Sequence, residues 1–328
     1  MKNKPILIIA GEPFGVFFEI FFKSFKKKII QKSKYPIILI CSKKLLKNQM
    51  KKLNYNFRLN EIDVSKISKL KKNNIGINLI DVKFNFKSPF DKISSKSNAY
   101  INNCCNLALE IVKKYNLKIL INGPISKSHF LQKKFIGMTE FFASKTKSVG
   151  KEVMLIYNKH LSVSPITTHL PLKEIFKKIT VKKIVYNSKV INNFYKSHLK
   201  RKPKILFTGL NPHCETTSDF SEEKKIIGPA IKKLRRMKIS AFGPLPADTI
   251  FLKENYKKYD VIIGMYHDQV LTPIKTLYGF KAINITLGLP FLRITPDHGP
   301  NNNMLGKNKS DPNSLIEIIN FVNSINAN

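Results

Sequence analysis

Short apolar runs recur along the chain with little polar alternation: PILIIAG (5–11), YPIILIC (35–41), INLIDV (77–82), LKILING (117–123), EVMLIYN (152–158), KILFTGL (204–210), YDVIIGMY (259–266) and KAINITLG (281–288). Unbroken Ile, Leu and Val of this length is the pattern of strands covered on both faces. Longer amphipathic stretches lie between them, at 13–28, 43–52, 96–115, 171–178, 181–199, 221–237 and 311–325, and these predict helices. Repeated strand–helix alternation predicts an α/β protein with largely parallel pairing. No internal repeat is present. Residues 55–75, rich in Lys, Asn and Ser, predict no element.

At 328 residues the chain is too long for one typical core, so two domains are expected. Its four cysteines, Cys41, Cys104, Cys105 and Cys214, form no CxxC pair. That excludes a disulfide scaffold and a cysteine zinc site and suits a reducing compartment. The start, MKNK followed by PILIIAGEPFGVFFEIFF, imitates a signal peptide. Glu12 and Glu19 interrupt it, however, and no small-residue cleavage site follows. No stretch is long and apolar enough to span a bilayer. A cytoplasmic protein with no membrane partner is expected.

Net charge is +37, from 58 basic and 21 acidic residues. Such a charge raises the question of a polyanionic partner. The lysines are scattered through every segment, without aromatic interleaving or a recognised nucleic-acid motif. The chain is also crowded with Asn and Ile, which share A/T-rich codons with Lys. Compositional drift is the better account, and no nucleic-acid partner is expected. A small anionic substrate suits a basic cleft.

Ligands in open α/β sheets sit beyond the carboxyl ends of strands. Three of the seven histidines occupy such polar junctions: His169 in TTHLPL, His213 in GLNPHCE and His267 in MYHDQ. Any one alone is more often structural than a ligand. Three neutral imidazoles together suffice to hold a divalent metal with a position left open for substrate. Asp268, beside His267, reads either as an orienter of that ring or as a helix cap. Lys127, Lys275 and Arg293 are anion candidates; the lysines carry little weight in so basic a chain. Arginine is scarce, and Arg293 lies inside the apolar stretch FLRIT. Asn284 is an amide within a strand. Asp248 in GPLPADT reads as an N-cap or a substrate contact.

The motifs NGPISK, TEFFA, THLPLKE, GLNPHCE, GPLPADTIF, YDVIIGMYHDQ, INITLGLPFLR and DHG resemble the successive motifs of the 4-hydroxythreonine-4-phosphate dehydrogenase family. They occur in the family's order over nearly the whole chain. The resemblance implies an isocitrate/isopropylmalate dehydrogenase-like fold, with two α/β/α domains and a cleft between them. By that analogy the first domain is 1–128 plus 275–328, on the cofactor side. The second, 129–274, carries the metal ligands and the dimer interface. The implied assembly is a homodimer whose active sites use both subunits.

The implied reaction is oxidation of 4-phosphooxy-L-threonine by NAD or NADP. The β-keto acid so formed loses carbon dioxide to give 3-amino-2-oxopropyl phosphate, for pyridoxal phosphate biosynthesis. Carried over by motif, His169, His213 and His267 are the ligands of a divalent metal: zinc, magnesium or cobalt. Met138, Thr139, Asp248, Lys275, Asn284 and Arg293 occupy the substrate-binding positions. No GxGxxG fingerprint follows the first strand, and the cofactor-binding residues stay unassigned.

Three departures from the family pattern stand out. Met138 replaces the histidine that precedes the threonine of the HTEF motif, and a thioether neither donates a hydrogen bond nor carries charge. Phe17 and Phe18 replace a glycine and a helix-opening proline in the N-terminal loop. Pro300, Asn301 and Asn302 follow DHG where small residues are usual. These changes leave two alternatives to the implied activity. One is a dehydrogenase for a related phosphorylated four-carbon hydroxy acid. The other is a decayed copy that binds nucleic acid through its basic surface. Retention of the three histidines with Lys275, Asn284 and Arg293 favours an active enzyme.

Overall fold

The computed structural model describes residues 4–70, 75–132, 134–217 and 219–325. Part of the uninterpreted stretch 55–75 thus lies outside the described residues. In chain order the strands are β1 (Ile6–Ile9), β2 (Ile37–Cys41), β3 (Leu59–Glu61), β4 (Ile77–Asp81), β5 (Ile119–Asn122), β6 (Val153–Tyr157), β7 (Ser162–Pro165), β8 (Ile205–Thr208), β9 (Ala241–Leu245), β10 (Val261–Gly264), β11 (Ile283–Leu287) and β12 (Leu292–Pro296). The helices are α1 (Phe17–Lys26), α2 (Lys43–Lys52), α3 (Asn98–Tyr115), α4 (Lys127–Phe130), α5 (Met138–Lys145), α6 (Leu172–Lys178), α7 (Val181–His198), α8 (Gly228–Arg236), α9 (Lys253–Tyr256), α10 (His267–Tyr278) and α11 (Asn313–Ser324).

The chain divides into two compact units, 1–146 with 289–328, and 147–288. The sequence analogy sets those divisions near 128/129 and 274/275. Packing explains where they fall: Phe141 and Phe142 of α5 belong to the core of the first unit, and Val270, Leu271 and Ile274 of α10 belong to that of the second.

The first unit is a parallel sheet in the order β3-β4-β2-β1-β5-β12. Its inner strands are apolar on both faces; Leu7, Ile8, Ile38, Leu39 and Leu120 are fully buried. Strand order reverses between β1 and β5, and there the two backbones come very close. A Cβ on Gly123 would lie 2.2 Å from the Ala10 carbonyl oxygen, and one on Gly11 would lie 2.5 Å from that of Pro124. Only glycine permits this approach.

The second unit has the order β11-β6-β7-β10-β8-β9. β6 is antiparallel to both β11 and β7, and the run β7-β10-β8-β9 is parallel. β7 is short and half serine, yet it is buried throughout. Its hydroxyls are satisfied: Ser164 Oγ donates to the Met154 carbonyl (2.6 Å), and Tyr195 donates to Ser162 Oγ (2.9 Å). Among the described residues no helix is long and apolar enough to cross a membrane.

Candidate active site

The three histidines fall at the carboxyl ends of three neighbouring parallel strands. His169 follows β7, His267 opens α10 directly after β10, and His213 lies in the turn after β8, with β10 between the other two strands. The rings of His169 and His267 stand with centroids 5.7 Å apart and planes at 38°. His267 Nδ1 lies 2.6 Å from Asp268 Oδ1. A carboxylate only accepts, so this contact places the proton on Nδ1 and leaves the Nε2 lone pair for a ligand. Asp268 therefore orients the ring.

His213 is exposed, in a tight turn at Pro212–Cys214, with left-handed backbone at His213 (φ 55°) and Cys214 (φ 61°). The start of that loop is pinned by one carboxylate. Glu223 accepts from the amides of Leu210 (2.8 Å) and Asn211 (2.9 Å), from Asn211 Nδ2 (3.0 Å) and from Ser221 Oγ (3.0 Å). Burial alone would raise its pKa, but the hydrogen bonds from Asn211 and Leu210 hold it below the usual carboxylate range. Asp248 is exposed in the turn after β9. Its charge, behind burial and Glu223, helps to raise the Cys214 thiol.

By chemistry and strand order the donor set fits a divalent transition metal. The rings of His169 and His267 form a pair. Among the described residues, however, no group of three or more His, Cys, Asp and Glu side chains closes around a point that could hold an ion.

Lys275 is exposed in the last turn of α10. Asn284 lies mid-strand in β11 opposite Ile156, and its Oδ1 is buried without a hydrogen-bond partner.

The first unit holds a separate polar cluster. Arg293, on β12, is buried at 3% exposure. Its Nε donates to Asn122 Oδ1 (2.7 Å) and its Nη1 to Thr139 Oγ1 (3.2 Å). The guanidinium sits 5.2 Å from the Phe142 ring centroid. Burial lowers its pKa to about 10, so it stays cationic at neutral pH. Thr139 is held in place by α5, whose apolar side chains anchor it in the core. Met138, the first residue of α5, is 7% exposed and packs into that same core.

The N-terminal loop and the loop after DHG, both unusual in sequence, touch one another. Val16 N donates to the Pro300 carbonyl (3.0 Å), and a Cβ on Gly15 would meet Pro300 Cβ at 3.2 Å. Phe17 and Phe18 turn inward and are almost fully buried, Phe18 stacking on Phe22.

Sequence reading passed over three residues here. Asn122, the acceptor for Arg293, ends an apolar run in LKILING. Gln269 stands in the quoted YHDQ. Glu223 lies 10 residues past His213. A polar side chain at the end of a buried strand was the available signal for the first; the other two declare themselves only through their hydrogen bonds.

A family model for pyridoxal phosphate biosynthetic protein PdxA matches residues 32–322. A protein of Sulfurihydrogenibium sp. (strain YO3AOP1) named 4-hydroxythreonine-4-phosphate dehydrogenase is 37% identical over 319 residues, 96% of each chain. One of the same name from Colwellia psychrerythraea is 32% identical, over 98% of this chain and 97% of its own. The crystal structure of the Klebsiella pneumoniae 4-hydroxythreonine-4-phosphate dehydrogenase superposes with a TM-score of 0.80 at 25% identity, covering 98% of both chains.

Proposed function

The chain belongs to the PdxA family of 4-hydroxythreonine-4-phosphate dehydrogenases, and on that premise we propose that it oxidises 4-phosphooxy-L-threonine with NAD or NADP, assisted by a divalent metal. The β-keto acid formed loses carbon dioxide to give 3-amino-2-oxopropyl phosphate for pyridoxal phosphate biosynthesis. The observation that carries the metal-assisted reading is the placing of His169, His267 and His213 after three neighbouring parallel strands. These three would hold zinc, magnesium or cobalt. When bound, the ion supplies Lewis acidity at the substrate hydroxyl and the nicotinamide accepts hydride.

The chain's own residues bind and orient. Arg293 offers a fixed, planar cation suited to phosphate or carboxylate, held by Asn122 and Thr139. Thr139, Lys275, Asn284 and Asp248 complete the proposed substrate contacts. The unsatisfied Oδ1 of Asn284 accepts a hydrogen bond from a substrate amine or hydroxyl. Anchoring the phosphate away from the carbinol orients it for transfer. The working form is a cytoplasmic homodimer with active sites shared between subunits.

The test is formation of NADH or NADPH from 4-phosphooxy-L-threonine with zinc, magnesium or cobalt present. Absence of turnover with all three metals, in well-folded protein, overturns the proposal. Met138 favours a second reading, a related phosphorylated four-carbon hydroxy acid, because the side chain in that position is buried and apolar. A panel of such acids separates the two readings, with Met138→His as the informative variant. Under the first reading Met138→His leaves threonine-phosphate turnover equal or higher, and an imidazole forced into the core costs about 1–3 kcal/mol of stability. Faster turnover of another acid by the unmodified protein favours the second.

A further inference from the structure

The loops that carry the three histidines are laced together by side chains that touch no proposed ligand position. Met265, two residues before His267, is the hub. Its carbonyl accepts from Thr167 N (3.2 Å) and Thr167 Oγ1 (2.7 Å), which ties in the loop of His169. Its amide donates to Gln269 Oε1 (2.7 Å). The same Oε1 accepts from Thr208 Oγ1 (2.7 Å), and Gln269 Nε2 donates to the Gly209 carbonyl (2.7 Å). Thr208 ends β8 and Gly209 begins the loop of His213. The next two residues of that loop, Leu210 and Asn211, give their amides to Glu223.

Every member of this chain is buried or partly buried. Thr167 and Thr208 are 1% and 0% exposed, Gln269 is 8% and Glu223 is 5%. The Gln269 amide bonds through both its atoms: the oxygen accepts two hydrogen bonds and the nitrogen donates one. A role as mere core filler does not require that. Leucine or methionine would fill the space, whereas a primary amide both donates and accepts, and so joins the end of β8 to the end of β10.

We propose that Gln269 is a positioning residue which, with Glu223, fixes the spacing of the His213 loop against the His267 turn, to which Thr167 ties the His169 loop, and so sets the affinity of the site for a divalent metal. The inference rests on the metal-binding reading given above. In Gln269→Glu the two accepted bonds survive. The donated one is lost, and a carboxylate oxygen faces the Gly209 carbonyl, so the His213 loop is released from β10. Glu223→Gln loosens the same loop from its other side, because an amide supplies one acceptor oxygen where the carboxylate supplied two.

The experiment is Co²⁺ titration of the intact protein, read by its visible absorption and by calorimetry, with His267→Ala as control. Each affinity is taken per folded molecule from circular dichroism. Both Gln269→Glu and Glu223→Gln are expected to weaken Co²⁺ binding about tenfold or more and to change the shape of the cobalt band. Lower thermal stability with unchanged affinity and an unchanged band, in either variant that folds, overturns the positioning role. If the unmodified protein takes up no Co²⁺, or His267→Ala takes it up equally, the metal-binding reading falls and this inference with it.

Discussion

Arg293 is where single-residue chemistry is most exposed to test. Its guanidinium donates from two different nitrogens to Asn122 and Thr139 and lies over the Phe142 ring. Lysine, a point charge on a flexible stem, reproduces neither the fork nor the stacking. Arg293→Lys should therefore raise the KM for the phosphorylated substrate at least about tenfold, measured by steady-state kinetics, since one lost charged hydrogen bond is worth about 1.5–3 kcal/mol. Glu12 carries a different signature. It follows β1, is 3% exposed, and burial pushes its carboxyl up to about 7 against the opposing amide of Ser126. The unfolded chain gives up this proton near 4.5 and the folded chain near 7, so between those values the folded state binds more protons. The contribution of Glu12 to stability is then greatest below about 4.5 and is lost as pH rises towards 7. Glu12→Gln should be more stable than the unmodified protein at pH 8, by about 3 kcal/mol. The gain should vanish near pH 4, as urea denaturation at both values would reveal.

At the scale of elements, each long apolar run became a strand, and α2, α3, α6, α7 and α11 lie within two residues of their sequence-read limits. The sequence reading missed β3, β7, β9 and β12; β3 is a three-residue strand, and β9 is broken by Gly243 and Pro244. β7 is built on Ser162 and Ser164, and β12 carries Arg293 and Thr295. Both look like loops until their polar atoms find partners in tertiary structure. α4, α5 and α9 were missed because they are short, eight residues at most, and α10 because Pro273 interrupts its helical pattern. The β1–β5 crossing is the element-level feature with least tolerance. Gly123→Ala would set a methyl 2.2 Å from the Ala10 carbonyl oxygen and 2.8 Å from Phe17 Cγ. It should destabilise the protein by at least about 2 kcal/mol in urea unfolding, because the obstacle is backbone directly after β1, held by the Ala10 N–Ile40 carbonyl bond, and cannot turn aside.

For the whole molecule, charge and packing make opposite demands. Basic residues number 58 and acidic ones 21, so positive charge is in large excess, and ion pairs such as Lys23–Glu19, Lys43–Glu61 and Arg201–Asp260 offset a small share. Self-repulsion at this net charge weakens the compact state, and salt screens it. Raising sodium chloride from 10 to 300 mM should raise the Tm by several degrees in a thermal melt, the reverse of a fold that depends on surface ion pairs. What the sequence alone determined was the α/β class, the largely parallel strands, the family and the strand-end positions of the three histidines. Apolar periodicity and strand-end motifs are local, and a local pattern survives in one dimension. What only tertiary structure decided was company. It paired His169 with His267, set Asp268 against the ring, and buried Arg293 among Asn122, Thr139 and Phe142. It also drew Met138 into the core and laced the His213 and His267 loops together through Gln269. These partners lie as many as 171 residues apart, and hydrogen bonds across such distances follow from strand order, which no stretch of sequence contains.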